Sequence, residues 1–167
     1  MHMRSYKDLN YEYNGGDLFL GATNLVSLEG IPSHITGRFD CKENKLTSLV
    51  GGPRIVDNYY ICRDNQLTDL VGSPSHIGME FDCRFNKITS LVGVHKIIKS
   101  CKYFDFDNDL ILNGGIGLLL IDGLTDITKY KSPQFQIISK YLGTGTKGMM
   151  ECSKELIANG YCDYAKL

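Results

Sequence analysis

Six cysteines, four histidines and a run of alternating aspartates are the side chains of this sequence that could carry chemistry. Cys41, Cys62 and Cys83 lie 21 residues apart. Structural zinc takes ligand pairs spaced C-x2-C to C-x2-4-C, a spacing that never occurs here, and Cys101, Cys152 and Cys162 add no metal pattern. A disulfide framework is the other reading of six cysteines. Leu20 precedes Cys41 by the same 21 residues, so the position suits a small buried hydrophobe, and the three are read as free structural thiols. Asp105, Asp107 and Asp109 alternate as in a calcium loop, but Leu110 and Ile116 stand where that loop needs glycine and glutamate, which leaves a solvated edge. Gly143–Gly148 reads GTGTKG, lacks the G-x4-G-K-S/T spacing of a phosphate loop, and is read as a linker between helices. His34 and His76 share a Pro-Ser-His-Ile context two repeats apart, roughly 10 Å, too far to share a metal, and His95 lacks that context. No serine or cysteine has a base at a repeat-related position. The expectation is a protein with no catalytic residue, no metal and no cofactor.

The elements that carry these residues repeat. FDCKENKLTSLVG (39–51), YICRDNQLTDLVG (60–72) and FDCRFNKITSLVG (81–93) follow one another at a constant offset of 21, and LFLGATNLVSLEG (18–30) is an earlier copy. A fixed period of this size predicts a solenoid, each coil burying its apolar edge against the next. The columns are consistent: Leu18, Phe39, Tyr60 and Phe81; Leu20 and the three cysteines; Leu25, Leu46, Leu67 and Ile88; Leu28, Leu49, Leu70 and Leu91. Ile35, Val56, Ile77 and Ile98 are expected to close the far side, four residues before the aromatic column. Each coil should open with a short strand such as Phe39–Lys42, with Phe39 and Cys41 pointing in and Arg38, Asp40 and Lys42 pointing out. Asn44, Asn65 and Asn86 mark a corner where a side-chain amide can satisfy backbone groups, and Thr23 in that place suggests a capping first coil. The glycine column (Gly30, Gly51, Gly72, Gly93) and proline column (Pro32, Pro53, Pro74) oppose a helix on the convex side.

This F-x-C-x-x-N-x-L pattern resembles the leucine-rich repeat L-x-L-x-x-N-x-L. It is most similar to the short N-x-L-T-S-L-x-G-x-P repeats of tailed-bacteriophage proteins, over about Asp17 to Asp109, and the ending ELIANGYCDYAKL is similar to the tail of those proteins. The resemblance implies a phage-encoded binding module. Some bacterial leucine-rich repeat effectors carry a ubiquitin-ligase domain with a Cys-x-Asp motif; that domain is far longer than the segment after Asp109, and here Cys162 and Asp163 are adjacent. The fold class expected is α+β: a leucine-rich-repeat β-solenoid of about five coils with a helical C-terminal cap. The division expected is an N-terminal arm (1–16), the solenoid (17–109) and the cap (110–167).

The fifth coil, from Val94, degrades: Ile98 keeps the period, but Tyr103–Asn108 fits only with one inserted residue, Asn108 lying 22 beyond Asn86. LILNGGIGLLLIDGL (110–124) is read as a last strand or short buried helix over the open edge. Ser132 and Pro133 are a helix start, followed by Phe135, Ile138 and Leu142 at helical spacing and stopped by Gly143. A second helix is expected over 147–159, with Met149, Cys152 and Leu156 inward and Gly160 as its stop. The net charge of −1 and the lack of an apolar run of eighteen residues fit one compact unit with no membrane span. The polar amino terminus lacks a signal core, so a cytoplasmic location, in the host if phage-encoded, is expected.

The outward columns offer a concave surface spanning roughly 24 Å, enough for one helix or loop of a partner. Tyr59 and Ile61 form an aromatic and aliphatic centre rimmed by charges, the layout of a protein-binding hot spot. Lys42, Arg63 and Arg84 form a basic stripe flanked by Asp40, Glu43, Asp64 and Asp82, too mixed a field for nucleic acid. The residues expected to contact a protein partner are Arg38, Lys42, Tyr59, Ile61, Arg63, Asp82, Arg84 and Phe85. The function expected is a non-enzymatic protein-interaction module; the phage resemblance implies that it binds, and inhibits or redirects, a host or viral protein, as an inhibitor or adaptor of host machinery such as an antiviral defence. The alternatives are a small-ligand or nucleotide-binding protein using the basic stripe and cap, and an enzyme with a site around Cys152 and Cys162.

Overall fold

A computed structural model describes residues 4–107, 113–127 and 132–167. Ten short strands follow in order: β1 (Arg4–Ser5), β2 (Leu18–Phe19), β3 (Leu25–Ser27), β4 (His34–Ile35), β5 (Phe39–Asp40), β6 (Ile55–Val56), β7 (Tyr60–Ile61), β8 (His76–Ile77), β9 (Glu80–Asp82) and β10 (Tyr103–Asp105). Every pairing between them is parallel. The sheet expected to form the concave face has the order β10-β9-β7-β5-β2, and a second sheet, β4-β6-β8, runs along the back. The result is a β-solenoid of about five turns, with the α+β class the repeats imply. Its ladder extends past the assigned strands, Cys41 donating to Ile61 at 2.8 Å and Glu43 to Arg63 at 3.1 Å.

The interior follows the sequence columns. Leu18, Phe39, Tyr60, Phe81 and Phe104 are all fully buried, and so are the leucine columns and the three cysteines. Neighbouring rings stack at 5.0 Å (Phe39–Tyr60), 5.5 Å (Tyr60–Phe81) and 5.1 Å (Phe81–Phe104). Asn65 shows why the corner needs an amide. Its Nδ2 donates to the carbonyls of Cys41 and Cys62, each at 3.0 Å, while its Oδ1 accepts from Leu46 N at 3.0 Å. Asn44 and Asn86 repeat this bridge, and Thr23 substitutes a hydroxyl that donates to Leu20 O at 2.7 Å. The glycine column reflects how closely coils approach: at Gly72, with φ of 90°, a Cβ would lie 2.3 Å from Val50 N.

The back of the fourth coil departs from the sequence reading. Its copy has His95 where the earlier coils have proline, so a helical turn, α1 (Val94–Ile97), forms where none was expected. The added chain displaces Ile98 from the back ladder. Ile98 stays buried, but Ser100 pairs with His76 and Cys101 fills the core beside Ile77. Phe104 pairs with Phe81, an offset of 23, so two residues are inserted before the strand rather than one. Asn108, Asp109 and Leu110 lie outside the described residues.

The fifth coil continues through the segment read as an edge cover. Asn113 bridges to Ser90, Asp122 to Ser100 and Asp126 to Tyr103, with a buried 3-10 helix, Gly115–Leu120, lying behind α1. The expected helices follow as α2 (Pro133–Ser139) and α3 (Gly145–Ala158), burying Phe135, Ile138, Cys152 and Leu156. Ser132 occupies the N-cap position of α2, but its hydroxyl makes no capping bond and is buried without a partner. Among the described residues no helix is long and apolar enough to cross a membrane.

Candidate functional site on the concave face

Alternation along each strand sends one residue in and the next out, so register places three outward columns side by side, and the left-handed corner after each strand turns a fourth outward. The first reads Asp17, Arg38, Tyr59, Glu80 and Tyr103; the second reads Phe19, Asp40, Ile61, Asp82 and Asp105. The third reads Gly21, Lys42, Arg63, Arg84 and Asp107; the fourth reads Ala22, Glu43, Asp64 and Phe85. All eight residues expected from the sequence therefore lie on one face.

They do not form one exposed patch. Asp82 is only 3 % exposed, roofed by Arg84, whose Nε and Nη2 reach its two carboxylate oxygens at 2.9 and 2.7 Å, with Arg63 Nε at 3.9 Å. Arg38 and Lys42 close in the same way over buried Asp40, at 2.9 and 3.8 Å. Arg63 holds Asp64 at 2.6 Å. The basic stripe is thus neutralised side chain by side chain. What it presents is half-buried, ion-paired ammonium and guanidinium groups, with Ile61 half-buried among them. Tyr59 is exposed near the middle of the face and Phe85 near its far end.

Phe85 stands out twice over. It is 59 % exposed, and its φ is +54°. The whole fourth column shares this left-handed corner, with Ala22, Glu43 and Asp64 at φ of 55–56°. A left-handed conformation costs a residue with a Cβ on the order of 1–2 kcal/mol, and a bulky aromatic is among the least suited to it. The corner is held from the next coil: the Phe85 amide donates to both oxygens of Asp107 at 2.8 and 2.9 Å. The corner belongs to the repeat, but the exposed ring placed on it is the residue type least suited to the conformation, which makes Phe85 a candidate contact residue.

Two aromatic residues of this face were not among those expected. Phe19 is 58 % exposed and carries Arg38 above its ring at 5.6 Å; Tyr103 carries Lys102 at 5.4 Å. Phe19 was legible in its outward column. Tyr103 was hidden by the two-residue insertion, which moves it into the column of Tyr59.

Burial raises the thiols of Cys41, Cys62 and Cys83, that of Cys101 to about 12 and that of Cys152 to about 11. Such thiols are poor nucleophiles. Among the described residues no three His, Cys, Asp or Glu side chains are placed to hold a metal ion. The back-face histidines serve locally, His34 meeting Asp57 at 2.8 Å and His76 meeting Ser75 at 2.8 Å.

Fold and face together define a short β-solenoid repeat protein with an open concave sheet. Comparison with protein-family models, curated proteins and solved structures gives no match.

Proposed function

We propose that this chain is a non-enzymatic protein-binding module of leucine-rich-repeat type, phage-encoded, that acts in the host cytoplasm by occupying the surface of a host or viral protein with its concave face. The reading rests on the F-x-C-x-x-N-x-L repeats and on Phe85. That side chain is exposed at a left-handed corner common to the coils, where a bulky aromatic is a costly choice of residue. Tyr59, half-buried Ile61 and the guanidinium of Arg63 supply the aromatic, aliphatic and arginine groups that dominate protein contacts. Their rigid sheet loses little freedom on binding. Inhibition of an antiviral defence is one form this occupancy takes. The nucleotide-binding alternative has less support, because Lys42, Arg63 and Arg84 are each ion-paired to a carboxylate of the same face.

Affinity capture with wild type and a Tyr59→Ala/Arg63→Ala double variant tests the proposal. A partner recovered by wild type and lost from the variant, at equal protein stability, is expected. Equal recovery of every partner by both proteins counts against the concave face.

A further inference from the structure

The five-stranded sheet ends differently at its two edges. Beyond β10 the chain continues, with Asp126 bridging to Tyr103 and the helical segments following. At the other edge stands β2, paired on one side only, with β5. The ladder has a fixed sense. The carbonyls of Arg38, Asp40 and Lys42 accept from Leu18, Leu20 and Ala22, and those of Tyr59, Ile61 and Arg63 accept from Phe39, Cys41 and Glu43. Alternate residues thus donate to the coil ahead, and the outward residues between them turn their backbone to the coil behind. Asp17, Phe19 and Gly21 are those outward residues in the first coil. Among the described residues no donor reaches their carbonyls, and no acceptor reaches the amides of Phe19 and Gly21.

The coil behind exists in part. β1 pairs in parallel with β3, Arg4 opposite Leu25, a separation of one repeat (25 − 4 = 21). Lys7 lies against Gly30 and meets Glu29 at 2.6 Å, and the Tyr13 hydroxyl accepts from Thr36 N at 2.9 Å. Residues 4–16 therefore supply the corner and back of a further turn, but among the described residues no strand of that turn lies beside β2. A gap one strand wide is left, bordered by exposed Phe19. Exposed edges are ordinarily blunted by lysine, proline or a bulge, and Leu18-Phe19-Leu20-Gly21 has none of these.

The gap selects its occupant. Residues 4–16 fill the rest of the turn, so the end of a second copy would collide with β1 and the 3-10 helix Tyr6–Leu9, while a single extended segment fits. Leu18 and Leu20 are already buried, so the inward residues of that segment must be small. Its outward residues lie beside Phe19, where a β-branched side chain packs well against an aromatic ring. Every pair in the solenoid is parallel, and a parallel strand continues the same ladder.

We infer that β2 is a strand-addition site for an extended partner segment, laid parallel to it, that alternates small inward residues with β-branched outward ones. This rests on the protein-binding reading above and adds a contact at the edge of the same sheet.

The experiment uses the full chain and the peptide Ser-Ile-Gly-Val-Ala-Thr-Ser at millimolar concentration, read by NMR. Exchange of the Phe19 and Gly21 amides with water should slow at least tenfold when the peptide is added. In a parallel strand the amides of inward residues point at β2. N-methylation of the peptide's glycine and alanine should therefore weaken binding at least tenfold, and N-methylation of its isoleucine and valine should change it less than twofold. Phe19→Pro removes an N–H that makes no bond in the ladder, so it should fold and bind at least tenfold more weakly, whereas Phe19→Val should bind as wild type does. Equal melting temperatures of these two variants show that the loss is not unfolding; where the proline variant does not fold, the methylated peptides decide the matter on wild type. No slowing of exchange, or an equal response to the two methylation patterns, overturns the site. Loss on methylating isoleucine and valine alone overturns the parallel arrangement. Tyr59→Ala/Arg63→Ala should bind the peptide as wild type does. A partner captured through Tyr59 and Arg63, with no peptide bound at β2, removes the edge site and leaves the protein-binding reading standing.

Discussion

Single residues in this chain serve one of two ends, closing the coil or facing outward, and those that close it have the clearest energetic signatures. Asn65 bonds four backbone groups of two coils, and truncation removes their side-chain partner. Asn65→Ala should cost about 3 kcal/mol in urea unfolding, given roughly 1–3 kcal/mol for an orphaned buried group. Tyr60 is the opposite case. Its hydroxyl is buried without a partner in a column otherwise filled by leucine and phenylalanine, so Tyr60→Phe should stabilise by about 1 kcal/mol. The cysteines yield a pH prediction. Their thiols are raised by burial, so the stability they support is complete below the unfolded thiol value near 8.5 and is lost as pH rises through the folded values. Each thiol kept neutral in the fold but ionised when unfolded steepens the alkaline slope by about 1.4 kcal/mol per pH unit. A chromogenic disulfide reagent at neutral pH should find exposed Cys162 at once and the five buried cysteines only on unfolding.

At the scale of the element, each coil trades conformational ease at its corner for close stacking. Gly72 meets Val50 because no side chain intervenes, and the fourth column accepts left-handed backbone in return for an unbroken ladder. Phe85→Gly should therefore raise stability by about 1 kcal/mol, since glycine adopts this conformation freely; a lower melting temperature would mean that the ring supports the fold. The period of 21 made the strands, the interior columns and the asparagine corners legible, because stacked coils force equivalent residues into equivalent surroundings. It failed where equivalence lapsed. His95 in place of proline permitted a helical turn, and that turn shifted Cys101 and Tyr103 into places a strict period gives to other residues. The site was legible as a face and not as an energy balance: the sequence set Arg84 beside Asp82 but could not show that the pair closes over itself. Nor does composition reveal which corner residues are left-handed, since Ala22, Glu43, Asp64 and Phe85 share no common side-chain chemistry.

For the whole molecule the question is whether the C-terminal helices unfold as a separate body, and the aromatic interior supplies the residues that test it. The stack that begins at Phe39 runs on from Phe104 to Phe106 at 5.8 Å, then to Phe135 of α2 at 4.7 Å and to Tyr164 at 5.6 Å. One line of rings thus joins the solenoid interior to the cap. The cap is also tied within itself: Glu155 of α3 accepts from Lys140 and, at 2.9 Å, from Tyr141, contacts that hold its carboxyl below the ordinary range. That contribution is present above the unfolded carboxylate value and is lost as pH falls through the lowered one, so Glu155→Gln should flatten the acid limb of a stability profile below about pH 4.5. The decisive variant is Phe135→Ala. It opens a cavity where cap and solenoid meet and should cost about 3–5 kcal/mol. Because an uncovered final coil exposes apolar core and unpaired backbone, the loss should fall on the entire chain. Circular dichroism in the far ultraviolet and the fluorescence of the tyrosines should report one shared transition, shifted together to lower denaturant. Two separated transitions, with the solenoid midpoint unmoved, would show the helices to be an independent unit resting on a solenoid that closes without them.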